Sequence, residues 1–281
     1  MNILFLGGSR YFGKTVLDEI LKEKKNFVFL VNRNSQKINY KKKNLVHISC
    51  DRKDLHLYKK EMQKKIFDVV FDNIAYKVKD VKKLHQLLKG RIKHYIFTSS
   101  IMTYLNLSYN FDVKEKDWNR HKTTKGMLKN WRSSEINNYA KNKIKIEKYL
   151  LSKNDVNSTI LRIHNVVGKN DFSNRTKKLL SFPLSDVKKN NISNNDFIQF
   201  CLKNDLVKVI LKIFQKKIKK TNVYNVANRK MKTNDFFKNL KENSKNNKKN
   251  IFPYQINILM DCSKIEKDLK FKFSLINKIF N

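Results

Sequence analysis

Cysteine is scarce in this chain. The three present, Cys50, Cys201 and Cys262, lie far apart and form no CxxC pair, which suggests neither a disulfide framework nor a cysteine-bound zinc. The histidines (His47, His56, His85, His94, His121, His164) are equally scattered, with no HxxxH or HExxH spacing, so no metal site is expected. No apolar run approaches the ~20 residues of a membrane span. The opening apolar stretch, residues 3–6, is too short for a signal-peptide core and runs directly into glycine. A cytoplasmic protein is the resulting expectation.

Acidic residues are few as well: 24 Asp and Glu against 62 Lys and Arg, a formal charge of +38. Such a charge suits a nucleic-acid partner, because lysines on phosphates release counterions. The lysines are nevertheless spread over the whole chain, beside abundant Asn, Ile, Phe and Tyr. That is the pattern of a composition bias in which Lys fills ordinary solvated faces, so nucleic acid is not the expected partner. The charge still attracts anionic substrates, a nucleotide diphosphate included. A length of 281 residues suits one large α/β domain, alone or with a smaller lobe. With 40% apolar residues the chain can bury a core.

Hydrophobic patterning supplies the order of elements. Residues 3–6 form a short continuous apolar run ending in glycine, as a buried parallel strand requires. Val16, Leu17, Ile20 and Leu21 repeat with helical spacing within 14–24, and 27–31 reads as a second strand. This is a βαβ unit. Further strands are predicted at 45–49, 67–71, 94–98 and 158–163, with helices from Val78 to Leu88 and over 138–151. The alternation argues for a doubly wound parallel sheet. Past Gly168 the pattern weakens: 205–214 reads as helix, 222–226 as strand, and the polar stretch 241–250 as an exposed loop.

Between the first strand and helix lies Gly7-Gly8-Ser9-Arg10-Tyr11-Phe12-Gly13, which holds three of the six glycines of the chain. A strand-to-helix turn needs glycine where the backbone takes unusual dihedrals and where a pyrophosphate must come close. The helix start then offers free N–H groups and the positive end of its dipole. Arg10 stands where GxxGxxG has its middle glycine. Sites for NAD place an acidic residue after the second strand to hold the ribose hydroxyls. Here that place holds Asn32-Arg33. Arg33 and Arg10 could both pair with a 2′-phosphate, so the cofactor reads as NAD(P) with a lean to NADP. Asp51, after the third strand, is either an adenine contact or a turn and N-cap residue.

In the order of these motifs the chain resembles the extended short-chain dehydrogenases, the NAD-dependent epimerase/dehydratase family. GGSRYFG (7–13) is similar to the family's glycine motif, and FDVVFDNIAY (67–76), with Ile74 and Ala75, to the small-residue segment beside the cofactor. YIFTSSIMTY (95–104) resembles its serine-bearing strand end, YAKNKIKIEKYL (139–150) its Tyr-x-x-x-Lys helix, with Glu147 in place, and LRIHNVVG (161–168) its Arg-x-x-Asn-Val-Tyr-Gly segment. Segments 196–210 and 223–228 resemble the two that return to the nucleotide-binding domain. Roughly two Tyr-x-x-x-Lys matches are expected by chance in so lysine-rich a chain, and two occur, Tyr139/Lys143 and Tyr149/Lys153. Position selects the first: Tyr139 follows the serine-bearing strand and opens a helix that leads to another strand.

The resemblance implies a Rossmann-like unit over 1–168 that binds NAD(P), and a smaller substrate-binding lobe over 169–281, with 205–228 returning to the Rossmann domain. It implies catalysis by Ser100, Tyr139 and Lys143. It also implies cofactor contacts from Gly7, Gly8, Ser9, Arg10, Phe12, Gly13, Asn32, Arg33, Asp51, Ile74, Ala75 and Lys143, and substrate contact from Asn165. Residues four apart on a helix share a face, so Lys143 can reach the cofactor ribose and support Tyr139. The lysine and the positive nicotinamide are expected to lower the tyrosine's value from ~10. The implied activity is epimerisation or ketone reduction of a nucleotide-activated sugar, with a homodimer through a helix pair. Thr98 and Ser99 are close alternatives to Ser100. Ile101-Met102 stands where family dehydratases carry Asp-Glu, which argues against dehydration. The polar segment 105–135, with Trp118 and Trp131, is either a substrate cover or an insertion. The glycine variant also resembles atypical members that bind RNA. RNA binding and cofactor sensing without turnover therefore remain the competing readings.

Overall fold

The computed structural model describes residues 1–35, 42–62, 64–104, 112–118, 134–180, 197–241 and 258–276. The predicted loop at 241–250, apart from Lys241, which ends a helix, and most of the segment 105–135 lie outside the described residues.

Seven parallel strands form the central sheet: β1 (Asn2–Leu6), β2 (Phe27–Asn32), β3 (Leu45–Ser49), β4 (Val69–Asp72), β5 (His94–Ser100), β6 (Asn157–Ile163) and β10 (Asn222–Val226). Their order is β3-β2-β1-β4-β5-β6-β10. The fold is therefore a Rossmann-like doubly wound α/β sheet. The chain leaves β1 toward β2 and later returns to pair β4 on the other side of β1. This reversal opens a crevice at the carboxyl ends of β1 and β4, where ligands of such sheets bind.

Side-chain alternation along β1 divides the core in two. Ile3 and Phe5 face one side and Leu4 and Leu6 the other, all fully buried. On the first side α1 (Tyr11–Lys22) brings Val16, Leu17, Ile20 and Leu21, and α6 (Lys203–Gln215) brings Leu206, Ile210, Ile213 and Phe214. On the second, α3 (Val78–Leu87) brings Val81 and Leu84, and α4 (Ser134–Leu151) brings Ile146 and Leu150. Helix α2 (Leu55–Met62) precedes β4, and Met62 joins this second cluster.

The sequence after β6 adds small pieces. Strands β7 (Val166–Val167) and β9 (Cys201–Leu202) pair in parallel, and β8 (Phe197–Ile198) pairs antiparallel with β11 (Met231–Lys232). Helix α5 (Arg175–Leu180) follows β7, α7 (Thr233–Lys241) follows β11, and α8 (Ser263–Leu269) packs against β10. Strand β10 returns to the central sheet beside β6, Asn222 opposite Thr159 through Val226 opposite Ile163. Among the described residues no helix is long and apolar enough to cross a membrane.

Candidate active site

The glycine turn is built by close approach. Gly7 and Gly8 have φ of 103° and 81°, values that side chains bearing Cβ rarely tolerate. A Cβ on Gly8 would lie 2.7 Å from the Phe5 ring, and one on Gly13 would lie 2.5 Å from Asn73 Nδ2. The cradle is therefore closed to larger residues and sits at the N-terminal, positive end of α1. Arg10 occupies the N-cap in extended conformation (φ −143°), so its replacement of glycine strains nothing there. The positive φ falls instead on Tyr11, at 50°. Ser9 is half-buried in the turn, and Phe12 packs partly against the core.

At the end of β2, Asn32 is buried and already bonded. Its Nδ2 donates to Gly7 O at 3.1 Å, and its Oδ1 accepts from Asn34 N–H at 2.8 Å and lies 3.1 Å from His47 Nε2. It pins the glycine turn to the neighbouring strand. Arg33 is exposed beside it. Asp51 accepts the Lys53 N–H at 3.0 Å. Next to it Arg52 is buried and paired with Asp72, which also accepts from the Tyr95 hydroxyl. Ile74 abuts Gly7, and Ala75 is fully buried.

Ser100, Tyr139 and Lys143 meet at the carboxyl end of β5. The Ser100 hydroxyl accepts the Met102 N–H at 3.2 Å and lies close enough to Tyr139 to favour its phenolate. Lys143 is buried, its ammonium donating to the carbonyls of Thr98 at 2.7 Å and Ala75 at 3.0 Å and lying 5.5 Å from the centre of the Tyr139 ring. Of the alternatives, Thr98 reaches Asp72 O and Asn73 Oδ1, and Ser99 donates to Glu147. Tyr139, Lys143 and Glu147 follow each other at four-residue spacing on α4 and share a face. Glu147 in turn holds the fully buried Arg162 of β6, whose Nη1 also donates to Tyr104 and to Glu115 O.

Burial pushes the Lys143 value down to about 8. Burial pushes Tyr139 up to about 12, against the neighbouring Ser100 hydroxyl and the charge of Arg175, which act the other way. The lowered tyrosine expected from sequence is thus not what the protein alone produces. Removing the phenol from water disfavours its anion more than the neighbouring groups favour it. Asn165 lies just past β6, its N–H donating to His164 Nδ1 at 2.7 Å and its carbonyl accepting from Cys201 at 2.9 Å.

Three further residues line the site without having been singled out from the sequence. Asn73 fills the space between Gly13 and β5. Tyr76, 56% exposed, sets its ring 6.0 Å from that of Tyr139 and 5.3 Å from the Lys143 ammonium. Phe172 lies over Arg10 and against Tyr11. Asn73 and Tyr76 fall within the segment 67–76 that the motif already marked; Phe172 depends on long-range contact. Among the described residues no three His, Cys, Asp or Glu side chains are grouped to hold a metal ion.

Comparison with known proteins agrees with this architecture. A family model described as the NAD dependent epimerase/dehydratase family matches residues 3–227. The fold is similar to the UDP-glucose 4-epimerase of Thermotoga maritima, at 18% identity and a TM-score of 0.71 over 100% of this chain and 98% of that one. It is similar to the UDP-N-acetylglucosamine 4-epimerase of Methanobrevibacter ruminantium M1, at 21% identity and a TM-score of 0.74 over 99% of this chain and 95% of that one. The Bordetella bronchiseptica enzyme WbmG, solved with NAD, gives 13% identity and a TM-score of 0.73 over 100% of this chain and 91% of that one. Comparison with the curated proteins gives no match.

Proposed function

Because the chain belongs to the NAD dependent epimerase/dehydratase family, we propose that it is an NAD(P)-dependent enzyme that epimerises or reduces a nucleotide-activated sugar. The observation that carries this reading is the convergence of Ser100, Tyr139 and Lys143 beside the switch-point crevice. A bound nicotinamide supplies the hydride acceptor and donor.

The chain's own residues handle the proton and the placing of groups. Tyr139 gives a proton to, or takes one from, the substrate oxygen at the reacting carbon. Ser100, beside the phenol, holds the same oxygen. With its value near 8, the Lys143 ammonium is mostly charged at neutral pH and favours phenolate. The phenol's own value near 12 means that Tyr139 stands ready as an acid, and its anion forms only under added positive charge. Gly7, Gly8, Ser9, Phe12 and Gly13 form the pyrophosphate cradle, with Asn32 holding the turn, Ile74 and Ala75 beside it and Asp51 toward the adenine. Arg10 and Arg33 favour NADP over NAD.

Residues 169–281, apart from α6 and β10, form the substrate lobe in this reading, with Asn165 at its junction. Ile101 is buried among Tyr104, Val113, Ala227, Ile258 and Met260. A dehydratase's acid has no counterpart at that position, which favours epimerisation or reduction. Titration of NAD(H) and NADP(H), followed by a nucleotide-sugar panel, tests the proposal. Tighter binding of NADP(H) and turnover at a keto/hydroxyl carbon are expected. Failure to bind any nicotinamide nucleotide overturns it.

A further inference from the structure

Arg10 replaces the middle glycine of the phosphate turn, and its guanidinium is held between two segments far apart in sequence. On one side Nη2 lies 3.5 Å from the Ser35 hydroxyl, just past the end of β2. On the other the guanidinium carbon lies 5.2 Å from the centre of the Phe172 ring. Phe172 is 61% exposed, the most exposed of the large hydrophobic side chains among the described residues. Its ring also meets Tyr11 edge-on, at 6.4 Å and 83°.

An apolar ring so open to water adds little to the core. It sits on a loop that is firmly tied. The Asp171 carboxylate accepts the N–H and hydroxyl of Ser173 and the N–H and hydroxyl of Thr176, while Thr176 Oγ1 accepts the Gly168 N–H at 3.0 Å. These bonds hold the Asp171 carboxyl below its ordinary value, so the loop keeps its shape at neutral pH. A rigid loop that carries an exposed aromatic to one arginine orders that arginine. Free arginine side chains lose considerable rotamer entropy when fixed, and ordering one in advance removes that loss from ligand binding.

We propose that Phe172 is a positioning residue for Arg10: it stacks the guanidinium at the mouth of the glycine turn, facing the end of β2, where it pairs with the 2′-phosphate of NADP. This rests on the proposed reading of the turn as a nicotinamide-dinucleotide site that prefers NADP. Specificity for the phosphate then comes from two loops that meet only in the folded chain, the glycine turn and the loop after β7.

Titration of NADP(H) and NAD(H) separately into the wild type, Phe172→Ala, Phe172→Tyr, Arg10→Gly and the Arg10→Gly/Phe172→Ala double variant tests this. In the wild-type background Phe172→Ala is expected to weaken NADP(H) about three- to tenfold, the range of an exposed to partly desolvated cation–π contact, and to leave NAD(H) nearly unchanged. Phe172→Tyr keeps the ring and retains NADP(H) affinity. In the Arg10→Gly background Phe172→Ala changes neither affinity. Equal wild-type binding of both cofactors defeats the NADP reading and the inference with it. A wild-type preference that survives Phe172→Ala defeats the inference alone, as does equal weakening of both cofactors.

Discussion

Ser99 and Ser100 stand side by side at the end of β5 and serve different partners: the Ser99 hydroxyl donates to Glu147, and the Ser100 hydroxyl accepts the Met102 N–H and lies beside Tyr139, whose phenolate it favours. One belongs to the buried ion pair with Arg162, the other to the proposed catalytic group. Alternation along the strand separates them, since successive side chains leave on opposite faces. The two substitutions to alanine are therefore expected to act on different quantities. Ser99→Ala leaves a buried carboxylate short of a donor and is expected to lower stability by ~1–3 kcal/mol. Ser100→Ala is expected to leave the melting temperature nearly unchanged and to lower kcat at least about tenfold. Melting curves and single-substrate kinetics on the pair check both.

The glycine turn gives a second prediction. Gly8→Ala combines a φ of 81° with a Cβ 2.7 Å from the Phe5 ring. The ring is fixed in the core beside Phe71, at 4.8 Å between centres, and has little room to move. Strain and overpacking together are expected to cost at least ~2 kcal/mol and to weaken nicotinamide-nucleotide binding in parallel. Urea unfolding with and without cofactor measures both effects.

Acid sensitivity follows from two buried histidines. Burial lowers His94 and His164 to about 4 each. His164 accepts from Asn165 N–H at Nδ1, so its Nε2 carries the proton that faces Ile258 O at 3.2 Å. The folded state thus binds protons less readily than the unfolded chain. Above pH ~6.5 both states are neutral and nothing is lost. As pH falls from there toward 4, the unfolded state gains protons first, and each histidine removes on the order of 3 kcal/mol at most. Stability is expected to fall over that window. A His94→Gln/His164→Gln variant, less stable at pH 7, is expected to show a flatter slope. An unchanged slope contradicts the assignment.

Much of this architecture was legible from periodicity. Residues 3–6, Val16 through Leu21 and 27–31 declared β1, α1 and β2 because continuous apolar runs and a 3.6-residue stripe face a two-sided core. Boundaries were less legible. The strand expected at 67–71 begins at Val69, because Asp68 accepts the Asn2 N–H and Phe67 makes only an isolated bridge to Ile92. Helix α2 has a weak apolar stripe, and the two-residue pairs β7·β9 and β8·β11 are too short to carry any period. Ser100, Tyr139 and Lys143 could be chosen by their order along the chain. Asn73 lay in the segment 67–76 without its contact with Gly13 being readable, and Phe172 carried no signal, because their contacts with Gly13 and Arg10 exist only once distant segments meet.

The most direct test of the central claim compares the wild type with Tyr139→Phe, which keeps the ring beside Tyr76 and Lys143 and removes only the hydroxyl. Cofactor affinity and turnover on nucleotide sugars are measured on the same preparations. The account predicts cofactor binding within a small factor of wild type and a kcat lower by about 10²–10⁴. Turnover at the wild-type rate in Tyr139→Phe contradicts it.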